Sequence, residues 1–304
     1  MRKIKTNLAL ISVRLLRYYL VVRCLLKAVT LRLPVHYSSF PLLTEMSYKH
    51  FSLNSKTMTC DLSLNSTVDV IISLYRFDQY KQVLEQSIRS CFGNPKIVYH
   101  FVLVSGSESE KSWLASVTRG SHHKVHLVDD RIGIYKAWNM AIESGTSDFI
   151  TNLNADDLRL PHSICTQAAA LQTGSAAGSF GNFILTNDIF STLESEADSW
   201  LVSELGEFDK ETLVIHSQNN MHCAPMWRRG IHSKIGEFDD TLQSSGDTDL
   251  WLRAMEYGFD FVQYPPVTTV YFHNPEGLST SVTSSGHKEW TRIRDAYIGR
   301  LYAN

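Results

Sequence analysis

The stretch GIYKAWNMAIESGTSDFITNLNADD, residues 133–157, decides the fold class because a helix pattern, a strand pattern and a polar turn follow one another in it. Apolar side chains in residues 134–144 recur at helical spacing, and Gly145 suits the end of a helix. The next run, DFITNL, is short and apolar and predicts a buried strand. Two adjacent carboxylates, Asp156 and Asp157, follow that strand, and core packing alone does not explain them.

The residues before this stretch repeat the alternation of strand and helix. Three short apolar runs, VDVIISLY, IVYHFVLV and KVHLV, predict strands, and the two segments between them predict helices. Such alternation predicts an α/β fold with a mostly parallel central sheet flanked by helices. Ligands of open α/β sheets bind beyond the carboxyl ends of the strands. The informative loops therefore follow Leu74, Val104, Val128 and Leu153.

The acid pair allows two interpretations. Carboxylates stabilise helix N-termini, so Asp156 and Asp157 fit a cap for a helix that begins near Pro161. Hard oxygen ligands at this edge of a sheet also suit a divalent cation that shares its coordination with a diphosphate. The residues alone leave both interpretations open.

A second acidic cluster lies in GDTDLWLR, where Asp247 and Asp249 begin a helical run. These acids fit either an acidic helix N-terminus or a general base on the first turn of a rigid helix. Two strand-like runs, FDFVQYP and VTTVYF, follow, and His273 lies in the Pro- and Gly-containing loop after them. This histidine is either an ordinary loop residue or, beside a metal-binding acid pair, a candidate ligand.

The charge of the chain is unevenly distributed. Its 304 residues have a net charge of −2, which argues against nucleic acid as the main partner. Residues 1–50 contain nine Lys or Arg and one acid, a net +8, and the remainder carries a net −10. The length suits one large α/β domain or two small ones.

The five cysteines are widely spaced and include no C-x-x-C motif. This pattern predicts neither a zinc site nor a disulfide framework. We expect buried thiols that pack as small apolar side chains, in a reducing compartment.

Residues 1–50 form a basic, apolar leader of helical character. Its uncharged runs are far shorter than the ~20 residues that span a bilayer. A basic apolar helix can lie on an anionic membrane surface, so residues 1–33 predict a membrane-surface contact. An extra helix packed on the domain, or a poorly ordered leader, fits the same residues. The polar residues 51–67 predict a linker.

Four motifs, in this order along the chain, resemble the inverting family-2 glycosyltransferases with the GT-A fold. They are VDVIISLYR, GIYKAWNMAI with SDFITNLNADD, GDTDLWLR, and VYFHNPEGLSTS. The resemblance covers about residues 68–280 and implies a GT-A domain over residues 68–283. Within it, residues 68–160 would bind the nucleotide and residues 161–283 the acceptor, and a C-terminal helix would occupy residues 284–304.

The resemblance implies a hexosyltransferase-type enzyme that moves a sugar from a nucleotide-diphosphate donor to an acceptor hydroxyl with inversion. It implies Mg²⁺ or Mn²⁺ as the cofactor, a glycan or glycolipid as the acceptor, and a part in polysaccharide or glycoconjugate synthesis. We expect a cytoplasmic protein that lies on the inner face of a membrane if its leader binds there. Displacement at the anomeric carbon needs charge stabilisation on the departing diphosphate and a base for the acceptor proton.

The same resemblance assigns roles to individual residues. Asp156 matches the metal-binding acid of the family's D-x-D motif, with Asp157 and His273 as further metal ligands. Asp247 matches the catalytic base. The residues expected to contact the nucleotide are Ser73, Tyr75 and Ser105, and those expected toward the diphosphate are Gly133, Lys136, Asn139 and Asn154.

Three residues depart from the family's pattern. Asn154 stands at the first acid of D-x-D, Ser105 stands where an acid often meets the base or ribose, and Gly246 replaces a Glu beside the base. These departures keep open a catalytically degenerate sugar- or partner-binding relative. A nucleotidyltransferase is a second enzymatic alternative, although SLYRFDQY offers no glycine for a phosphate loop. A dinucleotide-dependent dehydrogenase is disfavoured because no G-x-G-x-x-G follows a strand.

Overall fold

The structure is a computed structural model, which describes residues 66–89, 91–160, 162–190, 199–202, 208–214, 219–221, 224–278 and 285–302. The leader and residues 51–65 of the linker lie outside these described residues, so the predictions made for them stay predictions. Within the described ranges, no helix is both long and apolar enough to cross a membrane.

The first half of the described chain alternates strands and helices, as its sequence predicts. Its elements are β1 (Val68–Leu74), a 3₁₀ turn (Asp78–Tyr80), α1 (Lys81–Arg89), β2 (Ile97–Val104), α2 (Glu108–Thr118), β3 (Lys124–Val128), α3 (Ile134–Ser144) and β4 (Phe149–Asn152). The bounds of β3 and α3 are the predicted ones, because each pattern there is bounded by polar or glycine residues that stop it.

The second half is less regular. Its elements are β5 (Leu158–Arg159), α4 (Ser163–Thr173), β6 (Gly178–Thr186), β7 (Ser199–Val202), α5 (Lys210–Val214), β8 (Met226–Arg228), a 3₁₀ turn (Arg229–Ile231), α6 (His232–Ile235), α7 (Gly246–Tyr257), β9 (Phe261–Phe272) and α8 (Gly286–Tyr302). The expected C-terminal helix is therefore present as α8.

The described strands form one nine-stranded sheet of order β3-β2-β1-β4-β8-β6-β9-β5, with β7 paired to β6. Its first four strands are mutually parallel, because a helical crossover joins each strand to the next along the chain. Strand β8 is antiparallel to both β4 and β6, which makes the second half of the sheet mixed. The α/β architecture with flanking helices agrees with the prediction, and its parallel part is the half that the alternating pattern covers.

Apolar side chains pack on both faces of the sheet. Helices α3 and α7 cover one face, where Trp227 and Trp251 are buried with ring centroids 5.4 Å apart. Helices α1 and α4 cover the other face with residues such as Ile88 and Ile164. Burial on both faces explains why β1 carries apolar residues on both of its faces rather than alternating, with Asp69 and Ser73 as its only polar residues.

The two strand-like runs near the end of the domain form a single strand, β9. Its pairing with β6 shifts register on both sides of Asn182, opposite the segment that contains Pro265 and Pro266. Proline lacks the donor that a regular ladder needs, so the strand continues only through an irregularity. The consequence is that β9 carries its last residue, Phe272, to the same sheet edge as the end of β4.

The cysteine prediction is confirmed at one site and wrong at another. Cys91 is a buried thiol. Cys165 on α4 is disulfide-bonded. Because disulfides persist mainly in oxidising compartments, Cys165 lends no support to the reducing compartment expected from sequence.

The amino end of β1 carries a buried charge network at the sheet edge opposite the strand tips. Asp69 is 1% exposed and accepts hydrogen bonds from His100 Nε2 at 2.8 Å and from Arg229. It also accepts from the backbone N–H and hydroxyl of Ser147, at 3.0 and 2.9 Å. Burial alone would raise the pKa of Asp69, but the contacts with His100 and Ser147 outweigh it and hold that pKa below its usual range.

Candidate active site

A pocket of about 430 Å³ lies where β1 and β2 end. Its lining residues are Arg76, Asp78, Gln79, Ser105, Ser107 and Glu110. The last residues of the two strands are in register, since Leu74 pairs with Leu103. The loops that follow β1 and β2 therefore diverge from one edge of the sheet, and the pocket opens between them.

Sharp turns shape this pocket. Arg76 and Ser105, each just after a strand, both adopt φ of +49°, which turns the chain abruptly away from the sheet. Ser105 donates its backbone N–H to the Val128 carbonyl at 2.7 Å and its hydroxyl to the Asp129 carbonyl at 3.1 Å. These two bonds tie the end of β2 to the end of β3 and fix the rim of the pocket.

Glu110 forms the floor of the pocket. It is 2% exposed and accepts the backbone N–H of Phe77 at 2.6 Å and that of Ser107 at 2.9 Å. Ser107 in turn accepts the N–H of Glu110, which completes a capping box at the start of α2. A single buried carboxylate thus joins the loop after β1 to the helix after β2.

Asp78 is the exposed acid of the pocket. Its carboxylate accepts hydrogen bonds from Lys81 and from the hydroxyls of Ser109 at 3.1 Å and Ser107 at 3.4 Å. The bond from Lys81 is the main reason that the pKa of Asp78 lies below its usual range. An ionised carboxylate therefore stands in the pocket although Ser105, at the position expected for an acid, cannot supply one.

Tyr75, the residue after β1, packs against two guanidinium groups. The guanidinium carbons of Arg76 and Arg131 lie 5.3 and 5.2 Å from the centre of its ring, and the side chain is 37% exposed. The pair brings two positive charges to the strand tips, beside a partly exposed aromatic ring.

The turn after β4 separates the two adjacent acids. Asp157 is 5% exposed, and its Oδ1 accepts the N–H of Phe272 at 3.0 Å while its Oδ2 accepts Nδ2 of Asn154 at 2.9 Å. The backbone N–H of Asp157 also donates to the Asn154 carbonyl at 3.3 Å, which closes the turn. Asp157 thus fastens the turn to the end of β9.

This turn also explains the asparagine at the first position of the motif. Asn154 supplies an amide N–H to Asp157, whereas an aspartate at 154 would bring a second carboxylate to within hydrogen-bonding distance of the first. Burial and the charge of Asp156 already raise the pKa of Asp157 well above its usual range. An amide at position 154 is therefore the side chain that stabilises an ionised Asp157.

Asp156 is only partly buried and contacts different elements. Its Oδ2 accepts Nδ2 of Asn274 at 2.9 Å, and the same Nδ2 lies 3.2 Å from the hydroxyl oxygen of Tyr80. Burial raises the pKa of Asp156, while the bond from Asn274 acts in the opposite direction. Tyr80 belongs to the 3₁₀ turn that also carries Asp78, so this turn connects the pocket to Asp156.

The acids do not cap the following helix. Helix α4 is preceded by His162, which makes no capping hydrogen bond through its side chain. Both oxygens of Asp157 are engaged by Phe272 and Asn154 instead. The capping interpretation is therefore wrong for Asp157.

A buried arginine supports the strand that leads to these acids. Arg159 is 1% exposed and donates to the Thr151 hydroxyl at 2.5 Å, the Asn152 carbonyl at 3.0 Å and Gln167 Oε1 at 2.5 Å. Burial lowers the pKa of Arg159 to about 10, so it stays charged at neutral pH. Its bonds anchor the last two residues of β4 to β5 and α4.

Asp247 lies on the first turn of α7 and is held on both sides. Its Oδ1 accepts the hydroxyl of Tyr135 at 3.2 Å, and its Oδ2 accepts Nδ2 of Asn219 at 2.9 Å. Burial raises the pKa of Asp247, and hydrogen bonds from Thr248, Tyr135 and Asn219 offset part of that rise. A carboxylate with a raised pKa is a stronger base when it is ionised.

The other residues predicted to contact the donor or the metal lie on different elements of the fold. Ser73 is half-buried within β1, and Gly133 and Lys136 are exposed at the start of α3. Asn139 donates Nδ2 to the Phe238 carbonyl at 2.9 Å and accepts the Phe238 N–H at 3.1 Å, which joins α3 to the loop before α7. His273 is buried, and its backbone N–H donates to the Thr186 carbonyl at 2.9 Å. Their contacts with a donor stay predictions.

Several residues of the site were missed by sequence reasoning: Tyr80, Asp78, Arg131, Tyr135, Asn219 and Asn274. Asn274 had a signal, because it follows the predicted ligand His273 in the same loop. Tyr135 had one too, as the helix position two residues after Gly133. Asn219 had none, since nothing in its neighbourhood predicts a contact with α7.

The acid pair suits a divalent cation that also takes ligands from a phosphate group, rather than a cation held by protein side chains alone. Among the described residues, no group of three His, Cys, Asp or Glu could hold a metal by itself. Asp156 is partly buried and Asp157, the next residue, is buried, and burial raises the pKa of both carboxylates. A cation would favour their ionised forms, and Mg²⁺ commonly uses one or two carboxylates together with phosphate oxygens.

Comparisons with known proteins agree with this geometry. The sequence profile of glycosyl transferase family 2 matches residues 69–236, more than half of the chain. No curated protein matches the sequence significantly.

Similar folds occur among solved structures. S. aureus TarS 1-349 superposes with a TM-score of 0.56 at 14% identity, over 76% of this chain and 65% of that chain. The same protein in complex with UDP-GlcNAc gives a TM-score of 0.58 at 14% identity, over 76% and 66%. Mannosyltransferase PcManGT from Pyrobaculum calidifontis, in complex with GDP-Man and Mn²⁺, gives 0.52 at 13%, over 81% and 67%. The chain thus spans about two thirds of these structures.

These likenesses establish the fold, a GT-A-like sheet with helices on both faces. The profile match establishes the family. The chain belongs to glycosyl transferase family 2.

Proposed function

We propose that this protein is a hexosyltransferase-type glycosyltransferase that moves a sugar from a nucleotide-diphosphate donor to an acceptor hydroxyl with inversion, in the presence of Mg²⁺ or Mn²⁺. The observation that carries the proposal is the connection from the pocket to the acid after β4. One 3₁₀ turn carries Asp78 in the pocket and Tyr80, which shares Asn274 with Asp156. A ligand with a nucleoside at one end and a diphosphate at the other matches that layout.

The nucleoside of the donor would occupy the pocket. Tyr75 offers an aromatic face and Asp78 an ionised acceptor for N–H or hydroxyl donors of the nucleoside. TarS in complex with UDP-GlcNAc and PcManGT in complex with GDP-Man support a nucleotide-sugar donor in this fold. Ser73 and Ser105 would contribute to the same end of the donor.

The diphosphate would lie toward Asp156. Asp156 would hold the cation, Asp157 would fix the turn that presents it, and His273 stays a proposed further ligand. When bound there, a divalent cation supplies positive charge against the diphosphate. Gly133 and Lys136 at the start of α3 would face the same charge, because helix N-termini and ammonium groups both attract phosphate.

Asp247 would act as the catalytic base. The acceptor oxygen forms a bond to the anomeric carbon while the bond from that carbon to the diphosphate oxygen breaks. The hydroxyl proton passes to Asp247, and the nucleoside diphosphate leaves with the bonding electron pair. Attack from the side opposite the leaving group inverts the anomeric centre. Burial raises the pKa of Asp247 toward the range in which a carboxylate accepts a proton effectively.

The acceptor and the location belong to the same proposal. A glycan or glycolipid would take the sugar in polysaccharide or glycoconjugate synthesis. Residues 1–33 are basic and apolar, which supports a position on the inner face of a membrane. Flotation with vesicles of anionic and neutral lipids tests this, and loss of flotation on deleting residues 1–33 is the expected result.

The central experiment combines donor binding with transfer. Wild-type protein is titrated with UDP-, GDP- and dTDP-sugars with Mn²⁺ and with EDTA, and transfer to a panel of acceptors is measured. We expect Asp156→Ala to abolish metal-dependent donor binding, whereas Asp247→Asn binds the donor and does not turn it over. Asp260→Asn, an exposed acid before β9 at the opposite edge of the sheet, is the matched control.

Two outcomes separate the alternatives. Donor binding without turnover across the panel identifies a degenerate sugar-binding relative. Activity that Asp247→Asn leaves unchanged overturns the assignment of the base.

A further inference from the structure

The hydroxyl of Tyr135 reaches Asp247 from a neighbouring helix. Tyr135 is 3% exposed on the first turn of α3, with its ring packed against Phe238 at 5.6 Å and Trp138 at 5.5 Å between centroids. Its hydroxyl donates to Asp247 Oδ1 at 3.2 Å. The ring is fixed by packing, so the position of the hydroxyl is fixed as well.

Gly246, the residue before Asp247, lies against the ring of Tyr135. A Cβ atom at Gly246 would lie 2.7 Å from Cδ2 and Cε2 of the Tyr135 ring and 2.9 Å from Cγ. Such distances are far below a normal contact, so any side chain at position 246 would displace the ring. Tyr135 and Gly246 therefore form a matched pair in which the ring fills the space beside Asp247.

We propose that Tyr135 is a positioning residue that orients the Asp247 carboxylate toward the acceptor hydroxyl, and that Gly246 is present because the Tyr135 ring occupies the space of a side chain there. This inference rests on the proposed role of Asp247 as the base. It also gives a physical account of Gly246, which stands where the family carries a Glu.

The described groups that contact the Asp247 carboxylate are all neutral hydrogen-bond donors. They are the phenol of Tyr135, the amide of Asn219 and the backbone N–H groups of Thr248 and of Asp247 itself. On its own helix, the nearest acid, Asp249, pairs with Arg253 at 2.8 Å. Burial and the charge of Asp247 raise the pKa of Tyr135 well above its usual range, so Tyr135 keeps its proton and remains a donor.

Removing the hydroxyl should have three linked effects. Tyr135→Phe keeps the ring against Gly246 but takes one donor from the ionised form of Asp247. The pKa of Asp247 then rises, because a hydrogen bond to the charged form had lowered it. Turnover falls by about 10- to 100-fold because the base is misoriented, while the donor dissociation constant stays unchanged. The acid limb of the pH–kcat profile moves to higher pH, since activity requires ionised Asp247.

The test uses full-length protein and a readout that does not depend on activity. The carboxyl titration of Asp247 is followed by ¹³C NMR in wild type, Tyr135→Phe and the control Tyr257→Phe, whose ring is 54% exposed. Asp247→Asn identifies the resonance. We expect an upward shift of the Asp247 pKa in Tyr135→Phe only. An unchanged pKa in a folded Tyr135→Phe protein overturns the inference.

A second variant tests the contact between Tyr135 and Gly246 by changing Gly246. Gly246→Ala should displace the Tyr135 ring and lower turnover, and adding Tyr135→Phe to it should cost little more, because both changes break one contact. Full additivity of the two losses contradicts the inference. If wild type transfers no sugar from any donor, the proposed function fails, and the NMR titration still decides whether Tyr135 controls Asp247.

Discussion

Asn274, two residues after β9, donates a hydrogen bond from Nδ2 to Oδ2 of Asp156 at 2.9 Å, across 118 residues of sequence. The same amide nitrogen is 3.2 Å from the hydroxyl oxygen of Tyr80. The loop after β9, the turn after β4 and the 3₁₀ turn after β1 therefore meet at one side chain. Asn274 keeps the Asp156 carboxylate oriented in a partly buried site.

Asn274→Ala is expected to weaken Mn²⁺-dependent donor binding about tenfold, because a hydrogen bond to a charged group contributes about 1.5–3 kcal/mol. Calorimetric titration of the donor with Mn²⁺ measures the effect. In EDTA the variant and the wild type should bind the nucleotide equally, since Asn274 acts through Asp156. An equal loss in EDTA would mean that Asn274 contacts the donor itself.

Asn154→Asp is expected to destabilise the fold at neutral pH by about 1–3 kcal/mol, because Asp157 loses its amide donor and faces another carboxylate. The pKa of Asp157 is already raised by burial, and the change raises it further. The destabilisation is therefore largest above the raised pKa and declines as pH falls through it. Urea unfolding in EDTA at pH 8 and pH 5 measures the difference, and Asn187→Asp, at an exposed position just after β6, is the control. Equal losses at both pH values contradict the electrostatic explanation.

The contrast between Asp156 and Asp157 shows how far sequence reasoning reached. The apolar pattern of β4 and the position of the acids just after it predicted that both acids lie at the carboxyl edge of the sheet. This prediction needs only neighbouring residues of the sequence. Which acid faces inward depends on Phe272, more than a hundred residues later, and on a strand whose pairing shifts register beside two prolines. The disulfide at Cys165 was missed for a similar reason, because cysteine spacing does not specify a pairing.

Asp69→Asn is expected to destabilise the protein by about 3–5 kcal/mol at neutral pH, since it leaves Arg229 and His100 without their buried carboxylate. The pKa of Asp69 is lowered in the folded state. Its stabilisation is thus fully present above the unfolded pKa and is lost as pH falls through the folded value. Wild type should lose stability steeply below about pH 4, and Asp69→Asn should lose less over that range. Urea unfolding of both proteins between pH 7 and pH 3 tests this.

Asp78→Asn is expected to weaken donor binding equally with Mn²⁺ and with EDTA, because the pocket residue would contact the nucleoside rather than the metal-bound diphosphate. The hydrogen bond from Lys81 holds the pKa of Asp78 below its usual range, so the carboxylate is ionised wherever binding is measured. A donor series that varies the base at constant sugar locates the contact, since the loss should depend on the nucleoside and not on the sugar. Glu108→Gln, an exposed change on the neighbouring helix α2, is the control. A loss that appears only with Mn²⁺ would assign Asp78 to the diphosphate end and reverse the donor orientation argued from Tyr80 and Asn274.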